Sequence, residues 1–144
     1  MKADAIRRMV VDASIAVAWC FEDESSGVAD DVLDTLAAGG EAVAPAIWPF
    51  EVANALLTAE RRKRIKVAQR TALLQRVARV SVSIDPVDLG SVFNQVFSLA
   101  RQHALTIYDA AYLELALRKG LPLATLDNQL HRSAVGLGVA LVGT

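Results

Sequence analysis

The amino-acid sequence predicts an α/β domain with a mainly parallel, five-stranded sheet and helices on both faces. Five short apolar or alternating runs have the pattern of strands, and segments with apolar residues at helical spacing separate them. The length of 144 residues is typical of one domain, and hydrophobic residues make up 53% of the chain, which is enough for a sizeable core. We therefore expect a single folded domain over residues 1–144 and exclude a disordered chain.

The predicted strands and helices alternate along the chain. Strands are expected at residues 9–11, 42–44, 80–84, 121–126 and 139–142. Helices are expected at residues 28–38, 49–64, 67–79 and 128–134, together with helices that begin at Ser14, at the Asp85-Pro86 pair and at Thr106. In the helix after Thr106, Tyr108 and Tyr112 lie four residues apart, and we expect them to serve packing.

Neither a membrane span nor an intrachain disulfide is expected. No segment approaches the roughly 20 clean apolar residues that a span requires. Basic residues precede an apolar stretch near the N-terminus, but Asp12 interrupts it and no clear cleavage site follows, so we do not expect a signal peptide. Cys20 is the only cysteine. These features are compatible with a cytoplasmic protein, which is the location we expect.

Four carboxylates occur where such a fold would bring them together. Asp12 and Asp127 each end a predicted strand, whereas Glu51 and Asp109 lie in the first turns of predicted helices. Ligands of open α/β sheets bind outside the carboxyl ends of the strands, so we expect these side chains to converge. A group of acids without a His or Cys partner suits a hard cation such as Mg²⁺ or Mn²⁺, and such ions are used above all to handle phosphate. The pattern favours a metal-dependent nuclease.

Each of these acids also has a purely structural interpretation. Asp12 and Asp127 could cap the helices that follow them, and Glu51 could stabilise a helix N-terminus. Asp109 comes three residues after Thr106 and forms something close to a capping box. Together these interpretations require four coincidences on one predicted edge. Crowded carboxylates also raise each other's pKa, which costs stability unless a cation is present, so we favour the metal site.

Charged residues are unevenly distributed along the chain, although the formal net charge is only −1. Residues 9–60 contain ten Asp or Glu and no Lys or Arg, whereas residues 61–79 contain eight basic residues and no acid. Cations at the end of a helix are favoured by its dipole, but five of them in six positions exceed what capping requires. We therefore expect a phosphate-contacting patch, formed by Arg61, Arg62, Lys63, Arg64 and Lys66.

Four short motifs, in this order, resemble the PIN-domain family, and specifically the small VapC-type ribonuclease toxins of bacterial toxin–antitoxin pairs. They are Val11-Asp12-Ala13-Ser14, Glu51-Val52-Ala53-Asn54-Ala55-Leu56, Thr106-Ile107-Tyr108-Asp109-Ala110-Ala111-Tyr112 and Ala124-Thr125-Leu126-Asp127-Asn128. The resemblance covers essentially the whole chain. It implies a three-layer α/β/α sandwich, an acidic pocket for Mg²⁺ or Mn²⁺, cleavage of RNA, a homodimer, and a cognate antitoxin as partner.

Carried over by residue, the resemblance assigns a catalytic role to four acids, which are Asp12, Glu51, Asp109 and Asp127. Three of them, Asp12, Asp109 and Asp127, would be the metal ligands. Supporting roles fall to Ser14, to Asn54 and to Thr106. The basic residues 61–66 would supply the attraction for RNA that an acidic pocket lacks. One mild departure is Asn128, because the family often has a basic residue after its fourth acid.

Several alternatives to a toxin nuclease stay open. A phospho-accepting signalling domain could use Asp85, which ends the third predicted strand, but such domains also have a Lys after the last strand, and none occurs near Val142. The same fold could serve as a non-catalytic binding module or as a housekeeping RNA-processing nuclease. The sequence does not separate RNA from DNA as the substrate, nor one metal ion from two.

Overall fold

The computed structural model describes residues 8–24 and 26–143 of the chain. Four strands form one sheet: β1 (Arg8–Val11), β2 (Glu41–Pro45), β3 (Val82–Asp85) and β4 (Leu123–Ala124). Their order across the sheet is β3-β2-β1-β4, and each neighbouring pair is parallel. The predicted α/β fold with a parallel sheet is therefore confirmed.

The prediction of a fifth strand at residues 139–142 is wrong. In the part of the chain that the structure describes, these residues form no strand of the sheet. Leu141 pairs with Leu123 of β4 only in an isolated parallel bridge. Gly138 and Gly143, both with positive φ, turn the backbone on either side of this bridge. The run is as apolar as a strand, but only its middle can lie along β4. The sheet has four strands.

Eight α-helices are described between and after the strands. They are α1 (Ala13–Cys20), α2 (Gly27–Ala37), α3 (Trp48–Arg61), α4 (Val67–Ala78), α5 (Leu89–Ser91), α6 (Phe97–His103), α7 (Ile107–Lys119) and α8 (Asn128–Gly136). A 3₁₀ turn over Glu22–Glu24 precedes α2, and a π-helical segment over Val92–Val96 joins α5 to α6. No helix in the described ranges is long and apolar enough to cross a membrane.

The helix predicted after Asp85-Pro86 is capped three residues later than expected. The Asp88 carboxylate accepts a hydrogen bond from the N–H of Ser91 (2.9 Å) and caps α5. The Asp85 carboxylate instead forms an ion pair with Arg118 (2.5 Å), whose Nε also donates to the buried Glu114 (2.8 Å). The fold therefore uses Asp85 to tie β3 to α7 rather than to begin a helix.

Helices cover both faces of the sheet, which gives the expected three layers. Successive strand residues point to opposite faces, and the consecutive residues Met9, Val10 and Val11 of β1 are all 0% exposed. Both sides of the central strand are therefore buried. The helix α7 packs on β1 and β2, whereas α2 packs on β2 and β4. A strand buried on both faces explains why β1 is continuously apolar rather than alternating.

The order of the strands reverses between β1 and β4. From β1 the chain moves outward through β2 to β3, and it then returns to place β4 on the other side of β1. Val11 pairs with Ala124 in register, and the N–H of Asp12 donates to the carbonyl of Ala124 (3.1 Å). The residues that follow β1 and β4 thus meet at the switch point, which is where ligands bind in open α/β sheets.

Candidate active site

Asp12 lies in a hydrogen-bond network at this switch point. Its Oδ1 accepts from the hydroxyl of Ser14 (2.5 Å), and its Oδ2 accepts from the hydroxyl of Thr125 (2.6 Å). The same two hydroxyl oxygens accept from the backbone after β4: Ser14 Oγ from the N–H of Leu126 (2.9 Å), and Thr125 Oγ1 from the N–H of Asp127 (3.0 Å). The carboxylate is therefore tied to the segment that carries Asp127.

Burial disfavours the ionised form of the Asp12 carboxyl group. The residue is 5% exposed, and burial raises its pKa from 3.8 to about 6, with a smaller contribution from the negative charge of Asp127. The hydrogen bonds from Ser14 and Thr125 lower the pKa and offset part of this effect. A carboxylate in this state gains from any cation that comes near it.

The prediction that Ser14 caps the first helix is wrong. The helix α1 begins at Ala13, with Asp12 at the N-cap position, so Ser14 lies inside the first turn. Its hydroxyl bridges Asp12 and the N–H of Leu126 instead. This geometry agrees with a supporting role for Ser14 beside Asp12, although that role stays a prediction.

Glu51 approaches the site from α3 and makes its contact with α7. Its Oε1 accepts a hydrogen bond from the hydroxyl of Tyr112 (2.5 Å), a residue that is only 1% exposed. Partial burial raises the pKa of Glu51, and the charge of Asp109 raises it further, whereas the hydrogen bond from Tyr112 lowers it. Glu51 is therefore held close to Asp109 although the two residues belong to different helices.

Asp109 and Asp127 both lie at helix N-termini. The predicted capping role of Thr106 is confirmed, because its hydroxyl accepts from the N–H of Asp109 (3.1 Å) at the start of α7. Burial raises the pKa of the half-buried Asp109 carboxylate, and the charge of Asp127 raises it further. Asp127 is exposed and caps α8 by accepting from the N–H of Leu130 (2.9 Å).

The four predicted acids repel one another in a continuous series. The negative charge of Asp109 contributes to the raised pKa of Glu51. The charge of Asp127 contributes to the raised pKa values of Asp109 and Asp12. In residues 8–24 and 26–143, however, no three acidic, histidine or cysteine side chains are grouped closely enough to hold a metal ion. The donor set, which consists of carboxylates alone, suits Mg²⁺ or Mn²⁺, but binding would require the side chains to turn toward a shared ion.

The basic residues predicted to contact RNA lie at the other end of α3. Glu51 is in the first turn of this helix and Arg61 is its last residue, so they are about 15 Å apart along the helix axis. Arg64 is already engaged, because its guanidinium bonds to Asp23 (2.7 Å) and lies 4.1 Å from the ring centre of Phe21. Arg61, Arg62, Lys63 and Lys66 are exposed.

Asn54, which was expected to support the acids, is exposed on α3. None of the hydrogen bonds described for residues 8–24 and 26–143 joins it to Asp12, Glu51, Asp109 or Asp127. The contact of the basic residues with RNA and the supporting role of Asn54 stay predictions.

Two residues at the site were not predicted from the sequence to have a role there. Thr125 bridges Asp12 and the backbone of Asp127, and the sequence signal for it was a hydroxyl near the end of a predicted strand, two residues before an acid. Tyr112 was expected to serve packing, but its hydroxyl also binds Glu51. Its spacing from Tyr108 concealed this role, because two tyrosines four residues apart are usually a packing pair.

Comparison with known proteins agrees with this architecture. The family model described as PIN domain matches residues 9–136. Ribonuclease VapC3 from Pyrobaculum aerophilum is 31% identical over 123 residues, which cover 85% of this chain and 92% of that protein. The crystal structure of PAE2754 from the same organism has a TM-score of 0.66 at 25% identity, covering 90% of this chain and 80% of that one.

A structure bound to DNA is also among the similar structures. It is VapBC2 from Rickettsia felis, bound to a DNA fragment from their promoter, with a TM-score of 0.65 at 14% identity, covering 93% of this chain and 96% of that one. At this identity the likeness shows the fold alone. The family match, the curated relative and the shared fold together confirm the predicted resemblance, and the chain belongs to the PIN-domain family.

Proposed function

We propose that this protein is a metal-dependent endoribonuclease that hydrolyses RNA phosphodiester bonds and acts as the toxin of a toxin–antitoxin pair. The observation that carries this proposal is the meeting of two acids at the β1–β4 switch point, where the hydroxyl of Thr125 joins the Asp12 carboxylate to the N–H of Asp127, with Asp109 near enough for the charge of Asp127 to raise its pKa. The chain also belongs to the PIN-domain family, and its relative from Pyrobaculum aerophilum is named a ribonuclease.

Asp12, Asp109 and Asp127 would hold Mg²⁺ or Mn²⁺. The three residues offer carboxylate oxygens, which suit these ions, and the pKa values of Asp12 and Asp109 are raised mainly by burial and further by the negative charge of Asp127, which a bound cation would offset. A bound cation supplies Lewis-acid chemistry: it lowers the pKa of the attacking water and offsets the charge that develops on the phosphate. Ser14 and Thr125 would keep the Asp12 carboxylate oriented in this arrangement.

Glu51 is suited to accept a proton from the attacking water. Its pKa is raised, so it is a stronger base than an ordinary surface glutamate. Its Oε1 is occupied by the hydroxyl of Tyr112, which leaves Oε2 as the oxygen that would take the proton. The chain itself would thus supply three carboxylate ligands for the ion, orient the attacking water and receive its proton.

The test is cleavage of a labelled single-stranded RNA with Mg²⁺, with Mn²⁺ and with EDTA. The wild-type protein should cleave only with a metal, and Asp12→Asn or Asp109→Asn should abolish cleavage without changing the circular dichroism spectrum. Asp34→Asn, which removes the same charge at an exposed position of α2, is the control and should keep activity. Equal cleavage by all variants would indicate a contaminating nuclease. A DNA strand of the same sequence separates the two substrate classes.

A homodimer is part of the proposal, and an apolar patch suits it. The patch consists of Phe50, Val87, Leu89, Phe93 and Phe97, whose side chains are 55–71% exposed. Phe50 and Val87 line a cavity of about 590 Å³ at the ends of β2 and β3, and the other three follow at four-residue intervals along the adjoining helical segments. A surface with both a hollow and projecting rings can be complementary to a second copy of itself.

The size of this patch agrees with a dimer contact. It exposes about 600 Å² of apolar surface, which is at the upper end for a monomer. A standard interface buries roughly 800 Å² on each partner, part of it polar. Light scattering should show a dimer for the wild type and a monomer for Phe93→Glu, whereas Val135→Glu, on the exposed face of α8, should stay dimeric. A dimeric Phe93→Glu variant would place the contact elsewhere.

A cognate antitoxin is the second proposed partner. We expect an antitoxin segment to lie across α3 and to place an Arg or Lys near the acids, because a cation there would stabilise carboxylates whose pKa values are raised by burial and, to a smaller extent, by their neighbours, and it would compete with the metal. Expression of the chain alone should arrest growth, and co-expression with the neighbouring gene should restore it. If the chain cleaves RNA in vitro but is harmless in cells, a housekeeping RNA-processing role is the better conclusion.

A further inference from the structure

We infer that Tyr112 is a positioning residue that holds the Glu51 carboxylate in the site with the other three acids. This inference rests on the proposed nuclease function, in which Glu51 receives the proton of the attacking water. Tyr112 would act through Glu51 and would not itself touch the substrate.

Glu51 is joined to the helix that carries Asp109 through one hydrogen bond. Asp12 is tied to the segment of Asp127 through Thr125, and Asp109 lies in the first turn of α7, where its N–H donates to the hydroxyl of Thr106. Glu51 comes from α3. In the part of the chain that the structure describes, its side chain makes one hydrogen bond, and the donor is the hydroxyl of Tyr112.

The position of the Tyr112 hydroxyl is fixed by packing. Tyr112 is the largest side chain among the fully buried residues described, so its ring cannot move without disturbing the core. It also follows Asp109 by three residues on α7, which places the two on the same side of the helix. The hydroxyl is therefore a rigid point from which Glu51 can be held next to Asp109.

A phenol suits this position because it donates a hydrogen bond without adding charge. A fifth carboxylate would increase the repulsion among the acids, and a Lys would compete with a metal ion. Burial, together with the nearby charges of Glu51 and Asp12, raises the pKa of Tyr112 well above its usual range. The phenol therefore stays protonated and remains a donor at every pH at which the enzyme would work.

Removal of this donor should release Glu51. The Glu51 carboxylate is half-buried and repelled by Asp109, and the hydrogen bond from Tyr112 is the interaction that opposes both effects. Without it, the side chain gains by turning toward water. The Glu51 carboxylate would then lie outside the site and could not take part in the reaction.

The deciding variant is Tyr112→Phe, which removes the hydroxyl and keeps the buried ring. Tyr108→Phe is a matched control, because it makes the same chemical change one turn earlier on α7, where the side chain is 57% exposed. Tyr112→Phe should lower kcat for RNA cleavage roughly 10- to 100-fold with little change in KM, as loss of a residue that orients a site group typically does. Tyr108→Phe should stay within about twofold of wild type. Wild-type activity of Tyr112→Phe would overturn the inference.

A double-mutant cycle separates positioning from a general structural effect. Glu51→Gln removes the proton acceptor, so the combination with Tyr112→Phe should be no slower than Glu51→Gln alone. If the two losses multiply instead, Tyr112 acts on something other than Glu51, and the inference fails. A general loosening of the core would also multiply with Glu51→Gln.

Crystal structures of both tyrosine variants give a readout that does not depend on activity. The Glu51 side chain should leave its wild-type position in Tyr112→Phe and keep it in Tyr108→Phe. An unmoved Glu51 in Tyr112→Phe would refute the positioning role. If the wild-type protein cleaves no RNA with either metal, the proposed function fails, while these structures still decide whether Tyr112 holds Glu51.

Discussion

Replacement of Asp12 by Asn should stabilise the metal-free protein at neutral pH, although it should also end RNA cleavage. The Asp12 side chain is 5% exposed, and its pKa is raised from 3.8 to about 6, mainly by burial. A residue whose ionisation the fold opposes lowers the free energy of unfolding whenever the pH forces it to ionise. Asn occupies nearly the same volume and carries no charge.

The size of the effect follows from the pKa shift. About two pKa units at 1.36 kcal/mol each amount to roughly 3 kcal/mol once Asp12 is fully ionised. An Asn side chain has one acceptor oxygen, so it can serve the hydroxyl of Ser14 or that of Thr125 but not both, which costs about 1 kcal/mol. The net gain is about 2 kcal/mol, which corresponds to a rise in Tm of about 4–8 °C for a domain of this size.

The effect depends on pH with a definite sign. In the unfolded chain the Asp12 carboxyl loses its proton near pH 4, whereas in the folded chain it keeps the proton up to about pH 6. Between these values the folded state binds more protons, so the stability of the wild type falls as the pH rises. Below pH 4 the carboxyl is neutral in both states, and the variant should have no advantage there.

Thermal unfolding followed by circular dichroism, in EDTA at pH values from 4 to 8, tests this reasoning. The difference in Tm between Asp12→Asn and the wild type should be zero or slightly negative at pH 4 and should grow to its full value above pH 7. Asp34→Asn removes a charge at an exposed position and should show no such trend. An Asp12→Asn variant that is less stable than the wild type at pH 8 would refute the claim that the buried charge lowers the free energy of unfolding.

Three further substitutions test other parts of the fold by urea unfolding at pH 7. Thr125→Val removes the hydroxyl that donates to Asp12 and should lower the free energy of unfolding by about 1–2 kcal/mol; an unchanged midpoint would contradict the bridging role. Arg118→Ala leaves the buried Glu114 without its cation and should cost about 2 kcal/mol, a value reduced because Arg118 is half-exposed, and Arg118→Lys should lose less. Gly120→Ala should cost about 1 kcal/mol, because the φ of +62° at the end of α7 disfavours a side chain, whereas Gly136→Ala, at a position without positive φ, should be neutral; equal effects would argue against backbone strain.

The sequence predicted the elements whose signal is local. The first strand was recognisable because both its faces are buried, and the helix that Thr106 begins was recognisable from its cap and from Gly120 at its end. The acids could be assigned to one edge because strand ends and helix N-termini share that edge in a parallel sheet. Their series of mutual charge effects agrees with this assignment.

The features that the sequence did not predict depend on contacts between distant segments. Ser14 looks like a helix cap, but the N–H of Leu126, far along the chain, decides how its hydroxyl is used. Asp85 looks like a helix cap until Arg118 is known to lie beside it. The last apolar run has the composition of a strand, and only the length of β4 and the turns around the run show that it forms a single bridge.

The sequence distance across the Asp12 network has a consequence for biosynthesis. Asp12 and Thr125 are 113 positions apart, so the carboxylate acquires its second hydrogen-bond donor only when nearly the whole domain has been translated and has left the ribosome. Asp127 appears two residues later still. The proposed active site is therefore incomplete for most of the time that the chain is being synthesised, because its fourth acid is made last. Premature termination anywhere upstream of residue 125 would yield a chain that lacks both Thr125 and Asp127.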